Sequence, residues 1–313
     1  MEYGFAFFPG QGAQAPGMGK DLYENSKAAR LVFEEASDGA GIDVAKLCFE
    51  SDKETLSRTE NSQIAIFTHS MAALAALREN GVAFKAAAGF SLGEYTSLAA
   101  AGVVTLADGV KIVSNRGKLM QHAADTIDGG MAAILGLEDA KIEEACAAVK
   151  NGIVRPVNYN CPGQLVVAGL KTTLPDFLSD VAANGGRAVP LNVSGGFHSP
   201  FMESASARLH DVLETMDVKE PTVPVYANYT AEPYTKETAK ELLTQQVAHP
   251  VRWQQTVEKM IEAGVDTFVE VGAGKTLCGL IKKTSRAVKV YNVEDAETLS
   301  AAVQAIRAEG ENA

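Results

Sequence analysis

The chain has 313 residues, 46% of them hydrophobic and 21% charged, with a formal net charge of −11. That is enough apolar material to fill one large domain, or a large domain with a smaller insert, and it is not the composition of a disordered chain. The acidic balance argues against general nucleic-acid binding, no apolar run is long enough to span a membrane, and the four scattered cysteines (Cys48, Cys146, Cys161 and Cys278) form no Cys-x-x-Cys pair, so neither a disulfide framework nor a metal site is expected and a reducing cytoplasm fits.

Residues 3–8 read as a buried first strand. The opening segment has no basic stretch and its apolar run is short, so it is not expected to be a secretion signal. The strand breaks into Pro9-Gly10-Gln11-Gly12-Ala13-Gln14. Gly10-x-Gly12-x-x-Ala15 has the outline of a dinucleotide fingerprint, but Pro16 falls where the helix should be establishing itself, so that reading is rejected. Such a loop can instead hold its backbone open toward a site. Helices follow over 28–36 and 63–77, the second with Asn61 and Ser62 as cap candidates. His69, in that apolar helix, reads as a core residue.

Residues 84–88 suit a short buried strand, and 94–101 read as a helix. Between them stands Gly89-Phe90-Ser91-Leu92-Gly93. A strand that turns sharply into a helix presents the central side chain on a strained elbow, which glycines permit because no Cβ blocks the turn. Ser91 then lies beside a helix N-terminus, where N–H groups and the dipole stabilise a developing oxyanion. It is the candidate nucleophile. The bare pentapeptide is weak evidence, and the strand–turn–helix setting strengthens it.

Residues 106–123 form a predicted helix with one readable face. Arg116 shares it with the apolar Ile112, Val113, Leu119 and Met120, while Lys111 and Lys118 fall elsewhere. An inward guanidinium needs a partner. The sequence leaves an internal carboxylate and an anionic ligand equally open.

A boundary is expected at 125–130, after which the pattern changes. Strands over 131–137, 154–159, 164–170 and 187–193 alternate with helices over 139–149 and 175–183. That order, βαββαβ, is the ferredoxin-like plan. The chain then enters Ser194-Gly195-Gly196-Phe197-His198-Ser199-Pro200. Of the five histidines, only His198 lies in a glycine-rich loop between a strand and a helix, which makes it the candidate general base for Ser91. His122 and His210 fall on predicted helices, and His249 precedes Pro250.

In the last part, helices are expected over 237–247 and 256–263, and a strand over 267–271. Gln246 shares an inward side with Leu242 and Leu243, so it too needs a partner. Gly272-Ala273-Gly274-Lys275-Thr276 resembles the end of a phosphate-binding loop, but Val269 stands where its first glycine belongs. It reads as a strand-to-helix turn. Lys282, Lys283, Arg286 and Lys289 form a basic cluster, read first as a solvated helix end and second as a contact for an acidic partner. Residues 309–313 are expected to fray.

Five features now stand in order: residues 8–14 around Gln11; Gly89-Phe90-Ser91-Leu92-Gly93-Glu94-Tyr95; residues 115–120 around Arg116; residues 156–164 around Asn160; and Gly196-Phe197-His198-Ser199-Pro200. Together they resemble the malonyl-CoA:acyl carrier protein transacylases and the related acyltransferase domains of polyketide synthases, over nearly the whole chain. The resemblance implies an α/β fold: an α/β-hydrolase-like large domain over 1–126 and 199–313, split by a ferredoxin-like small domain over 127–198. It implies Ser91 as nucleophile and His198 as base and acid, oriented by the backbone carbonyl of Gln246. The backbone amides of Gln11 and Leu92 would form the oxyanion hole, and Arg116 would bind the malonyl carboxylate. Asn160 and Phe197 would contact substrate, with Phe197 favouring malonyl over methylmalonyl.

Phe90 stands where many members of that family have His, and Cys161 where Ser is frequent. Neither change removes a catalytic group, although Phe90 alters the pocket. The expected reaction is ping-pong acyl transfer from malonyl-CoA to the phosphopantetheine thiol of acyl carrier protein, in fatty-acid or polyketide synthesis. No bound cofactor, metal, nucleic acid or membrane is expected, and the chain is expected to be a monomer in the cytoplasm. A serine hydrolase or thioesterase, and a non-catalytic carrier-binding module, are the rival readings.

Overall fold

The computed structural model describes residues 4–310. The predicted strand start at Tyr3 and the end of the fraying tail, 311–313, lie outside them. Nine strands are described, in chain order: β1 Phe5–Phe8, β2 Ala86–Gly89, β3 Gly129–Leu135, β4 Val154–Cys161, β5 Gln164–Leu170, β6 Arg187–Pro190, β7 Val225–Tyr226, β8 Thr267–Val271 and β9 Lys289–Val293. They make two sheets. The larger has the order β7-β2-β1-β8-β9 with every neighbouring pair parallel.

Parallel sheets are covered on both faces, so their strands are apolar throughout. The period of two shows in where the side chains go. Ala6, Phe8, Ala87, Val269 and Val271 enter one core, with Phe33, Phe67 and Leu74 from the helices Lys27–Ala40 and Thr59–Glu79. Phe7, Ala86, Ala88 and Phe268 enter a second core, with Trp253, Met260 and Ile281 from the helices Trp253–Glu262 and Thr276–Thr284. There Phe7 stacks on Phe268 and meets Trp253 edge-on, with ring centroids 4.9 and 5.4 Å away.

The smaller sheet is antiparallel, in the order β4-β5-β3-β6. With the helices Asp139–Ala148 and Leu174–Ala183 it realises the βαββαβ plan. Ile134, Val154, Leu165 and Val167 pack beneath those helices with Phe177. The opposite face of the sheet gives Met131, Val157, Val166 and Ala168 to the large core. Backbone bonds join the two units, from Tyr159 N–H to Val251 O at 2.9 Å and from Val251 N–H to Val157 O at 2.8 Å.

Three expectations need correction. Asn61 and Ser62 do not cap their helix, which starts at Thr59. Their side chains donate back to the carbonyls of Thr55 and Thr59. The Thr59 N–H is instead capped by Gln121 Oε1 at 3.0 Å, from the helix Leu106–Thr126. The last small-domain strand ends at Pro190, short of residue 193: after Leu191 N–H bonds the Met131 carbonyl at 2.9 Å the chain turns, with Val193 N–H on the Leu191 carbonyl at 3.0 Å. The helix after the elbow begins at Leu92, two residues early, directly behind Ser91.

Lys282 and Lys283 sit in the last turn of their helix, where cations complement the helix dipole. No described helix is long and apolar enough to cross a membrane.

The elbow depends on close backbone approach. A Cβ on Gly93 would lie 1.9 Å from the Phe8 carbonyl oxygen, and one on Gly89 would lie 1.9 Å from Gly93 itself. These neighbours are backbone and cannot yield as a side chain would. Gly93→Ala should therefore lower stability by about 3 kcal/mol or more, the upper part of the range for overpacking. Urea unfolding would measure it, and a loss below about 1 kcal/mol would contradict this account.

Candidate active site

The carboxyl ends of β1, β2 and β7 point to one edge of the parallel sheet, the place where open α/β sheets bind ligands. Ser91 follows β2 there with φ 54° and ψ −105°. His198, in the loop returning from the small domain, has φ 58°. Among the described residues only these two and Ala231 combine a side chain with positive φ. Backbone strain is thus concentrated on the candidate pair.

Ser91 Oγ and His198 Nε2 are 2.7 Å apart. His198 Nδ1 lies 2.9 Å from the Gln246 carbonyl oxygen, at the end of the helix Lys236–Gln246. A carbonyl only accepts, so Nδ1 carries the proton and Nε2 keeps its lone pair for the serine hydroxyl. Burial, with the positive charge of Arg116, pulls the His198 pKa down to about 4. The imidazole is therefore neutral at pH 7 and free to accept a proton.

Arg116 is fully buried. Its Nη1 donates to Gln63 Oε1 at 2.7 Å, and its Nη2 to Gln246 Oε1 at 3.0 Å and to Ser91 Oγ at 3.1 Å. The guanidinium lies over the Tyr95 ring, 4.9 Å from its centroid. Its Nε has no partner among the described residues. The sequence left a choice between an internal carboxylate and an anionic ligand, and among the described residues no carboxylate bonds this guanidinium. The nearest relation is at one remove: Gln246 Nε2 donates to Glu94 Oε2 at 2.8 Å. Burial raises Glu94 to about 7, against the hydrogen bonds from Tyr234, the Asn228 N–H and Gln246 and the charge of Arg116.

A cavity of about 100 Å³ opens on Ser91, walled by Gln11, Met120, Phe197 and His198 among others. A second, of about 330 Å³, shares Gln11, Phe90, Asn158 and Leu191 with it and continues past Asn160 and Gln164 to Leu280. Asn160 Nδ2 donates to Gln164 Oε1 at 3.1 Å, while its buried Oδ1 has no partner among the described residues. The Gln11 and Leu92 amides donate to no protein acceptor among the described residues. Phe90, in the place of a polar residue, meets Trp253 edge-on at 5.7 Å and so faces an apolar wall.

The structure thus gathers Ser91, His198, Gln246 and Arg116 into one hydrogen-bonded group, places Gln11 and Phe197 on the small cavity, and sets Asn160 along the larger one. Sequence reading missed Gln63, Glu94, Tyr95 and Asn228, all buried around this group. Glu94 and Tyr95 follow the pentapeptide directly, and a charged residue on a short apolar helix was the signal available.

The arrangement can form and break an ester on Ser91 and can hold an anion beside it. The acyl transferase domain family matches residues 6–310. The malonyl CoA-acyl carrier protein transacylase of Bacillus subtilis (strain 168) is 42% identical over 311 residues, covering 98% of each chain. The crystal structure of the transacylase of that name from Clostridium perfringens superposes with a TM-score of 0.95 at 40% identity, over 99% of this chain and 98% of that one. A malonyl-transacylase in complex with its type II polyketide-synthase acyl-carrier protein has a TM-score of 0.93 at 37% identity, over 97% of this chain and all, 100%, of the other. The chain belongs to the acyl transferase domain family.

Proposed function

We propose that this protein transfers the malonyl group from malonyl-CoA to the phosphopantetheine thiol of an acyl carrier protein, supplying fatty-acid synthesis. The carrying observation is the buried guanidinium of Arg116, without an ion-pair partner among the described residues and 3.1 Å from Ser91 Oγ. A carboxylate-bearing acyl group would bond it bidentately in place of the serine and the glutamines. The relatives named above, one of them bound to its carrier, support the same donor and acceptor.

In the first half-reaction Ser91 Oγ attacks the thioester carbonyl as His198 Nε2 takes its proton. The C–S bond breaks, His198 returns the proton to the leaving thiolate, and malonyl-Ser91 remains. In the second, the carrier thiol gives its proton to His198 and attacks the ester, and Ser91 leaves with that proton. The Gln11 and Leu92 amides would hold the oxyanion in both, each contributing about 3 kcal/mol of transition-state stabilisation. The larger cavity would take the phosphopantetheine arm past Asn160. Four unpaired cysteines support a reducing cytoplasm. We draw the small domain as 127–198, so that its second boundary falls on the base, and we take the protein to act as a monomer.

Intact mass after brief mixing with malonyl-CoA should show one malonyl adduct, absent in Ser91→Ala and cleared faster by carrier than by water. Decay to free malonate at the same rate with or without carrier would make the protein a hydrolase.

Arg116→Ala should lower kcat/KM for malonyl-CoA by about 3 kcal/mol, on the order of a hundredfold, while acetyl-CoA is spared. The same variant tests the electrostatics. Protonated His198 cannot accept the serine proton, so acylation should fall as pH drops through about 4. Removing the neighbouring cation should move that limb to higher pH. A native limb near the ordinary histidine value, or one unmoved by the substitution, would refute this.

Phe197 is buried on the small cavity beside Ser91, and we take it to narrow the space for a branch on the α-carbon. Phe197→Ala should raise the methylmalonyl-to-malonyl ratio of kcat/KM roughly tenfold, within the span of a single pocket contact. An unchanged ratio in competition between the two CoA esters would remove Phe197 from specificity.

A further inference from the structure

The conformation of Ser91 is costly. A non-glycine residue held in so sparse a region costs on the order of 1–3 kcal/mol and persists only where its surroundings over-determine it. The glycines explain how the elbow fits, and they do not explain what keeps it from relaxing.

Asn228 answers that. It is fully buried and follows β7, the strand beside β2. The β2–β7 ladder registers only Ala87 with Val225 and Ala88 with Tyr226. Beyond it the Asn228 side chain takes the place of a neighbouring strand. Its Nδ2 donates to the Gly89 carbonyl at 2.6 Å, and its Oδ1 accepts from the Ser91 N–H at 2.7 Å. One planar amide thus spans the elbow. Asn228 is anchored in turn: its N–H donates to Glu94 Oε1 at 3.1 Å and its carbonyl accepts from the Arg252 N–H at 2.8 Å. Glu94 lies on the helix that the elbow starts, so the chain of bonds closes on itself.

We propose that Asn228 is a positioning residue for acyl transfer, holding the Ser91 elbow so that Oγ stays on His198. The proposal rests on Ser91 being the nucleophile. It has a corollary: the Ser91 N–H is committed to Asn228, so the oxyanion must be received by other amides. Asn228 lines neither cavity beside Ser91, so its effect should fall on rate and not on substrate binding.

Asn228→Ala and Asn228→Asp would be compared with the native protein in single-turnover malonylation by malonyl-CoA and in inactivation by phenylmethylsulfonyl fluoride, which reports serine reactivity without a carboxylate. End-point labelling counts competent sites, and the thermal midpoint reports stability separately. Per labelled site, Asn228→Ala should slow both reactions by a similar factor, roughly 10- to 100-fold, as expected for a misplaced reacting group. The malonyl-CoA concentration at half-maximal rate should stay within about twofold, because the binding residues are untouched. Asn228→Asp keeps the acceptor for the Ser91 N–H and should recover part of the rate. A rate per site within twofold of native in Asn228→Ala, or a loss confined to half-saturation, would overturn the proposal whatever the midpoint. If the alanine variant does not fold, Asn228→Asp decides: it replaces the donor to Gly89 with an oxygen facing that carbonyl, and a rate within twofold of native overturns the proposal. If Ser91→Ala still takes the label, the nucleophile assignment itself has failed. If it does not, a null result at Asn228 counts against this proposal alone.

Discussion

A cation fully out of water, next to the atom that would react, is the constraint around which the rest of this site is arranged. Desolvating a guanidinium costs several kcal/mol unless it is paired or well bonded. Here the compensation comes from neutral groups: Gln63 and Gln246 oxygens, the Ser91 hydroxyl and the face of Tyr95. A direct ion pair would have satisfied Arg116 and left it nothing to offer a ligand. Glu94, which burial raises to about 7, is kept from making that pair because the Gln246 amide stands between the two. The cation is tolerated, and it remains available to a carboxylate that arrives from outside.

Gln246 carries more than its backbone suggests. An acceptor for His198 Nδ1 requires only a carbonyl, which any residue has. The side chain is what calls for glutamine. Its Oε1 accepts from Arg116 and its Nε2 donates to Glu94 and, at 2.6 Å, to the Ser91 carbonyl. Asparagine would be one methylene short of these partners, and glutamate would lack the donor. A single residue therefore orients the base, supports the cation and ties down the elbow, which couples three functions that a sequence presents as separate.

Much of this was legible because it is local. The elbow is written in five consecutive residues, and the inward face of Arg116 in one helical period. The small domain follows from an order of elements that periodicity and turn residues reveal. Hidden were the groups whose roles arise only on folding. Asn228 meets an elbow 137 positions earlier in the chain, and Gln63 meets Arg116 across 53. Gln63 also lies on a helix whose sides are nearly all buried, so no face marked it as inward. The false cap at Asn61 and Ser62 has the same origin. Those residues are suitable caps by type, but the true cap, Gln121, belongs to another helix.

The proposed acyl-enzyme must outlive its encounter with water, and the environment of His198 bears on how it does so. Burial and Arg116 make His198 a weak base, with a pKa near 4 in the free site. A bound malonyl carboxylate would offset Arg116 and strengthen the base, yet the burial remains. Proton transfer is governed by the match between base and acid. A thiol ionises near pH 8.5, whereas bulk water does so near 15.7, about seven units further away. The weaker the base, the more the outcome depends on the acidity of the group to be deprotonated. A carrier thiol is therefore the easier acid for His198, while the Ser91 hydroxyl, about as weak an acid as water, relies on being held 2.7 Å from Nε2. Position and thiol acidity together favour transfer over hydrolysis: the serine is placed on the base, the carrier thiol gives up its proton readily, and water has neither advantage unless the site places it.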